Sequence, residues 1–213
     1  KVAILADAAC RAGWEKNFPA LLAHVWRIHK PGLFLVAGDL AVHGTSGEFQ
    51  ATISAMEPYP AWMAAVPGDH DRPLKAFIRH FGSTRKVLDV GKWRFIGVNT
   101  ADRTFSKRDR DFLENQIRRN TLILSHVPPG LDGWKFHSLG SSSSDRFLSI
   151  IDRHRAKIRA AFFGHIHGYS RRERSGVRLI VTGGVAESFE VRNDCYSCPG
   201  FHQMMLFDTA RGT

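Results

Sequence analysis

Apolar positions along the chain gather in short runs with amphipathic stretches between them. The runs Val2 to Ala6, Leu33 to Ala37, Trp62 to Val66, Arg94 to Val98, Leu122 to Leu124, Ala160 to Phe163 and Leu179 to Thr182 are rich in branched and aromatic residues. Unbroken runs of this kind suit strands buried on both faces, because a half-exposed strand would alternate. Between the first two, Trp14, Phe18, Leu21, Val25 and Ile28 recur every three or four positions, as in a helix packed on a sheet, and Pro31-Gly32 ends it. A second helix is predicted after Ser106, where Ser106 and Asp109 have the spacing of a capping box. A third is predicted after Asp145, with Phe147, Ile151, His154 and Ile158 on one face. Strands alternating with helices predict an α/β fold. Late in the chain the strands are separated by short turns such as Ser175-Gly176, and Phe201 to Phe207 forms a last strand with no helix before it, so the sheets are expected to be mixed. Gly140 to Ser144 reads as a flexible loop and not as a domain linker.

At 213 residues, 43% hydrophobic and without internal repeats, the chain suits one sizeable core, so a single domain over 1–213 is expected. No run of roughly 18 apolar residues is present, and KVAILAD reads as a buried strand, not a signal peptide; the expected location is cytoplasmic, without a membrane span. Thirty Lys and Arg against twenty Asp and Glu give a formal charge of +10, which favours anionic partners: phosphate esters, nucleic acid or a lipid head group. A solvated basic surface accounts for the charge equally well, since these residues are spread along the chain. The densest stretches, Arg108 to Arg119 and Arg171 to Arg174, lack the interleaved aromatics of a base-stacking platform. Three cysteines make no disulfide framework. Cys195 and Cys198, near His202, form a lone C-x-x-C that reads as loop thiols or a local disulfide before a zinc half-site. The oligomeric state stays open.

In open α/β sheets, ligands gather beyond the carboxyl ends of strands. The polar residues there are of one kind: Asp7, Gly38-Asp39, Gly68-Asp69-His70-Asp71, Ser125-His126 and Gly164-His165-Ile166-His167. Carboxylates and imidazoles together are ligands for first-row divalent metals, and a carboxylate between two ions can bridge them. Each alone is more often a helix cap or a surface residue; the ordered set carries the signal. Glycine before Asp39, Asp69 and His165 allows backbone to come close to an ion or a phosphate.

These five segments, in this order, resemble the motifs of the calcineurin-like metallophosphoesterases, His126-Val127-Pro128-Pro129 and Gly164-His165-Ile166-His167 being the most discriminating. The resemblance implies two mixed β-sheets packed as a sandwich and flanked by helices. It implies two divalent ions (Mn²⁺, Fe²⁺/³⁺ or Zn²⁺): Asp7, Asp39 and His167 on one, and Asp39, Asp69, His126 and His165 on the other, with Asp39 as bridge. The activity implied is hydrolysis of a phosphate ester, a diester before a monoester, by a metal-bridging hydroxide. His70 would serve the leaving group, with Asp71 orienting its imidazole.

Two positions depart from the family pattern. The first motif is Asp-x-His in the family and Asp7-Ala8-Ala9 here, so one imidazole of the first metal site is missing; water, Cys10 or His43 would have to fill the place, or that metal binds weakly. An engineered His→Ala change at position 9 accounts for the motif as well as a natural one does. Either way a catalytically impaired member acting as a binding module is the alternative reading, and a nuclease or nucleic-acid-binding protein is a second. Asp69 stands where the family has Asn, which adds a negative charge beside the second metal. Ser141 to Ser144 near His137 and Asp145 form no ordered nucleophilic triad, and no glycine-rich phosphate loop is present. Trp134, Phe136 and His137 either line a cleft after His126 or simply pack their loop.

Overall fold

A computed structural model describes residues 1–9, 14–132, 134, 137–182, 184 and 205–211. The elements follow in the order β1 (Val2–Leu5), α1 (Trp14–His29), β2 (Leu33–Ala37), α2 (Ser46–Met56), β3 (Trp62–Val66), α3 (Leu74–Phe81), β4 (Lys86–Val90) and β5 (Trp93–Gly97). Then come α4 (Lys107–Gln116), β6 (Thr121–Leu124), α5 (Ser141–Arg153), β7 (Ile158–Phe163), β8 (Ser170–Arg174), β9 (Val177–Val181) and β10 (Met205–Phe207). A four-stranded sheet has the order β10-β1-β2-β3 and a six-stranded sheet β4-β5-β6-β7-β9-β8. Both are mixed: β1 to β3 run parallel with β10 antiparallel to β1, and β5, β6, β7 and β9 run parallel with β4 and β8 antiparallel at the edges.

Burial on both strand faces explains the unbroken apolar runs. Val2, Ile4, Leu35 and Ala37 of the smaller sheet meet Phe95, Leu122, Leu124 and Phe162 of the larger one in a core between the sheets. The alternate residues Ala3, Leu5, Phe34 and Val36 face outward onto Trp14, Phe18 and Leu22 of α1, Phe49 of α2 and Phe77 of α3. On the opposite side Ile96, Ile123, Ala161 and Phe163 pack against Leu113 of α4 and Phe147, Ile150 and Ile151 of α5. A third layer at each face therefore covers what would otherwise be an exposed apolar surface.

Four local readings need correction. The buried stripe of α1 runs through Leu22, with Leu21 only partly buried and Ile28 exposed. Gly140 to Ser144 is not a flexible loop: Gly140 is the N-cap of α5 and the serines form its first turn. The hydroxyls there are bound, Ser144 Oγ accepting from Gly130 N (2.8 Å) and donating to the Leu139 carbonyl (2.8 Å), and Ser143 Oγ accepting from Phe105 N (3.0 Å). Serine hydroxyls are suited to a helix start that pins neighbouring loops. His154 caps α5 and Ile158 opens β7, so neither continues the helix face. Finally, Ser106 caps α4 by accepting from Asp109 N (3.1 Å), and the Asp109 carboxylate accepts from the Ser106 hydroxyl on Oδ2 and from Arg85 Nε (2.7 Å) on Oδ1; the reciprocal capping box lies at Thr45 and Glu48, before α2. Cys195, Cys198, His202 and most of the proposed last strand lie outside the described residues.

Candidate active site

The chain turns sharply off the carboxyl ends of β1, β2 and β7, and those turns carry the acidic and imidazole groups. Among the described residues eight non-glycine residues have positive φ, and Asp7 (54°), Asp39 (56°), His165 (69°) and His167 (53°) are four of them. Asp and His enter this region more easily than most residues, yet such backbone persists only where its surroundings over-determine it, and it gathers at functional sites.

Part of what over-determines it is Asp71. Its buried carboxylate accepts from four backbone N–H groups: Leu40 (2.8 Å) and Ala41 (3.0 Å) on Oδ1, Asp39 (2.9 Å) and Gly68 (2.8 Å) on Oδ2. The turn after β2 is thereby tied to the turn after β3. Burial and the Asp39 charge push the Asp71 carboxyl up, to about 8, while the N–H groups pull the other way. All four neighbours are donors, which is the environment of a bare carboxylate. The structure does not bring Asp71 onto the His70 imidazole. His70 Nδ1 lies 3.0 Å from the Val42 carbonyl, to which it donates, and His70 N donates to Asp39 Oδ1 (3.0 Å). The exposed ring is thus oriented by a backbone carbonyl in place of the carboxylate expected from sequence.

Backbone approaches closely here for a steric reason. A Cβ on Gly68 would come within 2.0 Å of Asp39 Oδ1, and one on Gly38, whose φ is +85°, within 2.4 Å of His126 Nδ1.

Asp69, His126 and His165 converge: Asp69 Oδ1 is 3.0 Å from His126 Nε2 and 3.0 Å from His165 Nδ1, and Asp39 Oδ2 is 3.3 Å from His126 Nε2. His126 Nδ1 donates to the Ala37 carbonyl (2.7 Å), which fixes the ring with Nε2 toward the carboxylates. Burial alone would push the His126 imidazole down; the Asp39 charge, with Asp69 beside it, holds it well above its ordinary value of 6.5. Burial would likewise raise Asp69, but hydrogen bonds from His126 and His165 keep it far below the usual carboxylate range. Asp39 is also lowered despite its burial, by the His126 charge. The cluster therefore attracts positive charge strongly.

A second group of ligand atoms comes from Asp7, Asp39 and His126, all within 4.8 Å of one another, as are those of Asp69, His126 and His165. His167 reaches this side through Nε2, 3.5 Å from Asp7 Oδ1, and Asp7 Oδ1 accepts from His165 N (2.9 Å). Ala9 is buried beside Asp39, its N–H bonded to the Asp39 carbonyl (2.9 Å), and brings no ligand atom. His43 does not fill the place: it is held by Glu48 at 3.2 Å and is 76% exposed. Cys10 lies outside the described residues. Asp39 Oδ2 is buried and accepts no hydrogen bond, which is unusual for a carboxylate oxygen and fits a cation-binding position. The mixture of carboxylate oxygens and imidazole nitrogens suits Mn²⁺, Fe²⁺ or Zn²⁺.

Beyond β5 the turn carries Arg103, which sequence reasoning missed although it follows a strand end like the other site residues. Its Nη2 lies 3.0 Å from His165 Nε2 and 3.7 Å from Asp69 Oδ2, and its φ is 58°. Thr100 in the same turn accepts from Val127 N (2.9 Å) and bonds Ser125 (3.0 Å), fastening the loop that follows His126. Of the aromatics in that loop, Trp134 is buried and donates to Ser170 Oγ (3.0 Å), so it packs; the His137 ring lies against His165, 5.7 Å between centroids. Phe136 lies outside the described residues. In the dense basic stretches, Arg110 pairs with Asp111, as does the adjacent Lys107, Arg118 with Asp89 and Arg174 with Asp152. No helix among the described residues is long and apolar enough to cross a membrane.

The chain is 27% identical over 196 residues to a 3',5'-cyclic-nucleotide phosphodiesterase of Nostoc sp., covering 82% of this chain and 72% of the relative. It is 23% identical over 197 residues to a 3',5'-cyclic adenosine monophosphate phosphodiesterase of Pseudomonas aeruginosa, covering 84% and 71%. In fold it is similar to a dimetal phosphatase from Danio rerio, at a TM-score of 0.70 and 13% identity over 88% of each chain. The calcineurin-like phosphoesterase family model matches residues 1–169, and the chain belongs to that family of hydrolases acting on phosphate esters.

Proposed function

We propose that the protein is a metal-dependent phosphodiesterase whose substrates are 3',5'-cyclic nucleotides. The substrate class is suggested by the two phosphodiesterase relatives. The observation that carries the metal-dependent reading is Asp39 Oδ2, buried without a hydrogen bond and 3.3 Å from Nε2 of His126, the imidazole that two groups of carboxylate and imidazole ligand atoms share. Asp69, His126 and His165 with Asp39 would hold one ion, and Asp7, Asp39 and His167 the other, more weakly. Divalent ions at such a site supply Lewis-acid stabilisation of phosphoryl charge and an activated water at neutral pH.

The chain's own contributions follow from its hydrogen bonds. Asp39 lies 3.3 Å from His126, the residue common to both ligand groups, and would contribute a carboxylate to each ion. His126, anchored through Nδ1, presents Nε2 in a fixed direction. His70, exposed and anchored through Nδ1 on Val42, presents Nε2 to the leaving alkoxide and protonates it. Asp71 is a positioning residue, since it sets the two turns that carry Asp39 and His70.

The test is metal content by elemental analysis together with hydrolysis of 3',5'-cyclic AMP, bis-p-nitrophenyl phosphate and p-nitrophenyl phosphate in Mn²⁺. Bound metal and preference for the diesters are expected. Absence of both metal and hydrolysis, in the protein as given and in Ala9→His, would overturn the proposal. Ala9 favours one rival, a family member impaired at its first metal position; hydrolysis appearing only in Ala9→His would establish it.

A further inference from the structure

The parallel strands give the molecule two ends. The candidate site lies beyond their carboxyl ends; the amino ends, roughly 17 Å away along a five-residue strand such as β2, carry a different chemistry. Lys and Arg residues that are spread along the sequence are gathered there by the crossovers. Lys30 precedes β2, Lys92 precedes β5, Arg119 precedes β6, Lys157 precedes β7 and Arg159 is the second residue of β7. All five are exposed, and none has a carboxylate partner among the described residues. The last four stand side by side, because β6 pairs with both β5 and β7. Arg159 Nε donates to Asn120 Oδ1 (3.4 Å), and Asn120 Nδ2 donates to the Lys92 carbonyl (3.5 Å). Acids at this end are largely taken: Asp89 by Arg94 (2.8 Å) and Arg118 (2.6 Å), Glu114 by Arg153 and Asp208 by Arg211 (4.0 Å), while Glu57 is exposed at the end of α2.

The same end leaves apolar side chains in water. Trp62, the first residue of β3, is 82% exposed, although Trp14, Trp93 and Trp134 are buried, and Ile28 in the last turn of α1 is 52% exposed. Trp62 N donates to the Gly32 carbonyl (3.1 Å) and Gly32 N to the Lys1 carbonyl (3.1 Å), which brings the starts of β1, β2 and β3 together just beyond α1. Pro58 and Pro60, exposed on either side of the partly buried Tyr59, lead into Trp62. Trp62 borders a groove lined by Val2, Leu33, Met63, Leu88 and Val90, and by Asp89, the partner of Arg118. The groove therefore joins the exposed tryptophan to the cationic strand starts, Lys92 following Val90 by two residues.

We infer that this amino-end face docks on an anionic lipid bilayer, with Trp62 and Ile28 entering the headgroup region and the cations meeting lipid phosphates. Nucleic acid would use the cations and leave Trp62 and its groove idle; an apolar protein surface would leave the cations unanswered. A bilayer interface uses both, since tryptophan suits the headgroup level and an anionic surface attracts basic side chains near it. Docked in this way, the candidate site faces the aqueous phase. The inference does not depend on which substrate is hydrolysed.

Cosedimentation with vesicles of phosphatidylcholine, alone or mixed with phosphatidylglycerol, tests this on wild type, on Trp62→Ala and on the triple variant Lys92→Ala, Arg119→Ala and Arg159→Ala. Wild type is expected to bind the mixed vesicles and not the neutral ones, more weakly as salt shortens the screening length. Each cation near an anionic surface is worth about fivefold in partitioning, so the triple variant should lose on the order of 100-fold, and Trp62→Ala roughly tenfold. Vesicles should shift tryptophan emission to the blue in wild type and not in Trp62→Ala. Both variants should keep the wild-type Tm, because the side chains they remove are exposed. Wild type left in the supernatant by the mixed vesicles overturns the inference, as does sedimentation that both variants retain in full. So does single-stranded RNA binding without vesicle binding, lost in the triple variant and kept in Trp62→Ala, which would give the cations to nucleic acid. A dimer in solution that Trp62→Ala dissolves would give the groove to a second copy and overturn it too.

Discussion

Two groups of ligand atoms, which share His126 and to both of which Asp39 would contribute, are finished to different degrees. On the side of Asp69, His126 and His165 every side chain is directed by another contact: His126 by the Ala37 carbonyl, Asp69 by both imidazoles, His165 by Arg103. On the side of Asp7 and His167 the separation is longer, 3.5 Å, and the buried methyl of Ala9 offers no ligand atom. Both sides nevertheless share the same strained turns and the same Asp71 frame. The frame is a property of the fold and survives the loss of a ligand, whereas the ligand set is a property of individual side chains. Retained geometry is thus stronger evidence for binding at the complete side than for balanced two-ion chemistry.

The largest test of this asymmetry is Asp39→Asn set against Asp7→Asn. If Asp39 joins both groups, Asp39→Asn removes charge from each, and kcat/KM for bis-p-nitrophenyl phosphate in Mn²⁺ is expected to fall on the order of 10³-fold, several kcal/mol of lost stabilisation. Asp7→Asn, on the unfinished side, should cost about tenfold or less, since under the proposed reading that side would hold its ion weakly. Equal losses would show that the two sides work as one and would break the comparison.

The shared frame is tested by Gly68→Ala. The new methyl meets Asp39 Oδ1 at 2.0 Å and the Asp39 backbone nitrogen at 2.5 Å, so backbone has to move. A loss of roughly 1–3 kcal/mol is expected, read as a lower Tm, with both ligand groups damaged together. Gly32→Ala, with nothing within 4 Å of the added Cβ, is the control and should stay within about 0.5 kcal/mol. A Gly68→Ala protein as stable as the control would show that the turns are not held as the hydrogen bonds imply.

Legibility in the sequence divides along the same line. The central strands and the residues at their ends could be read because burial on both faces produces unbroken apolar runs, and the strand ends then point to Asp7, Asp39, His126 and His165. The edge strands could not be read that way: β8, Ser-Arg-Arg-Glu-Arg, and β4, Lys-Val-Leu-Asp-Val, pair on one side only and carry charge. Helix α2 was missed although its Thr45-x-x-Glu48 box is a start signal, because its apolar stripe is thin. The role of Asp71 depends on backbone amides some thirty residues earlier, and that of Arg103 on a histidine 62 residues later, separations that no local pattern records. His70 is the intermediate case: its place was legible, its partner was not.

The smallest expected effect separates the two sides by pH. In the metal-free protein, His126 is held well above 6.5, so its pairing with Asp39 and Asp69 stabilises the fold fully below 6.5 and is lost as pH rises through the raised value. Asp69 is held below 3.8, so its contribution is present above 3.8 and lost as pH falls through the lowered value. Between those limits both act. Thermal melts in EDTA should therefore show the highest Tm on the mildly acidic side and a decline toward alkaline pH, at about 2–4 °C for each kcal/mol lost. A metal held by His126 would take the place of its proton, so the Tm gain from Mn²⁺ should grow over the same range in which the metal-free protein weakens. His126→Asn should flatten both trends, and Asp7→Asn, which removes only a minor one of the charges that raise His126, should lessen them slightly. A decline that survives His126→Asn undiminished would mean that the buried Asp71 carboxyl, pushed up to about 8, sets the pH dependence and that the His126 imidazole is not the group with which the metal competes.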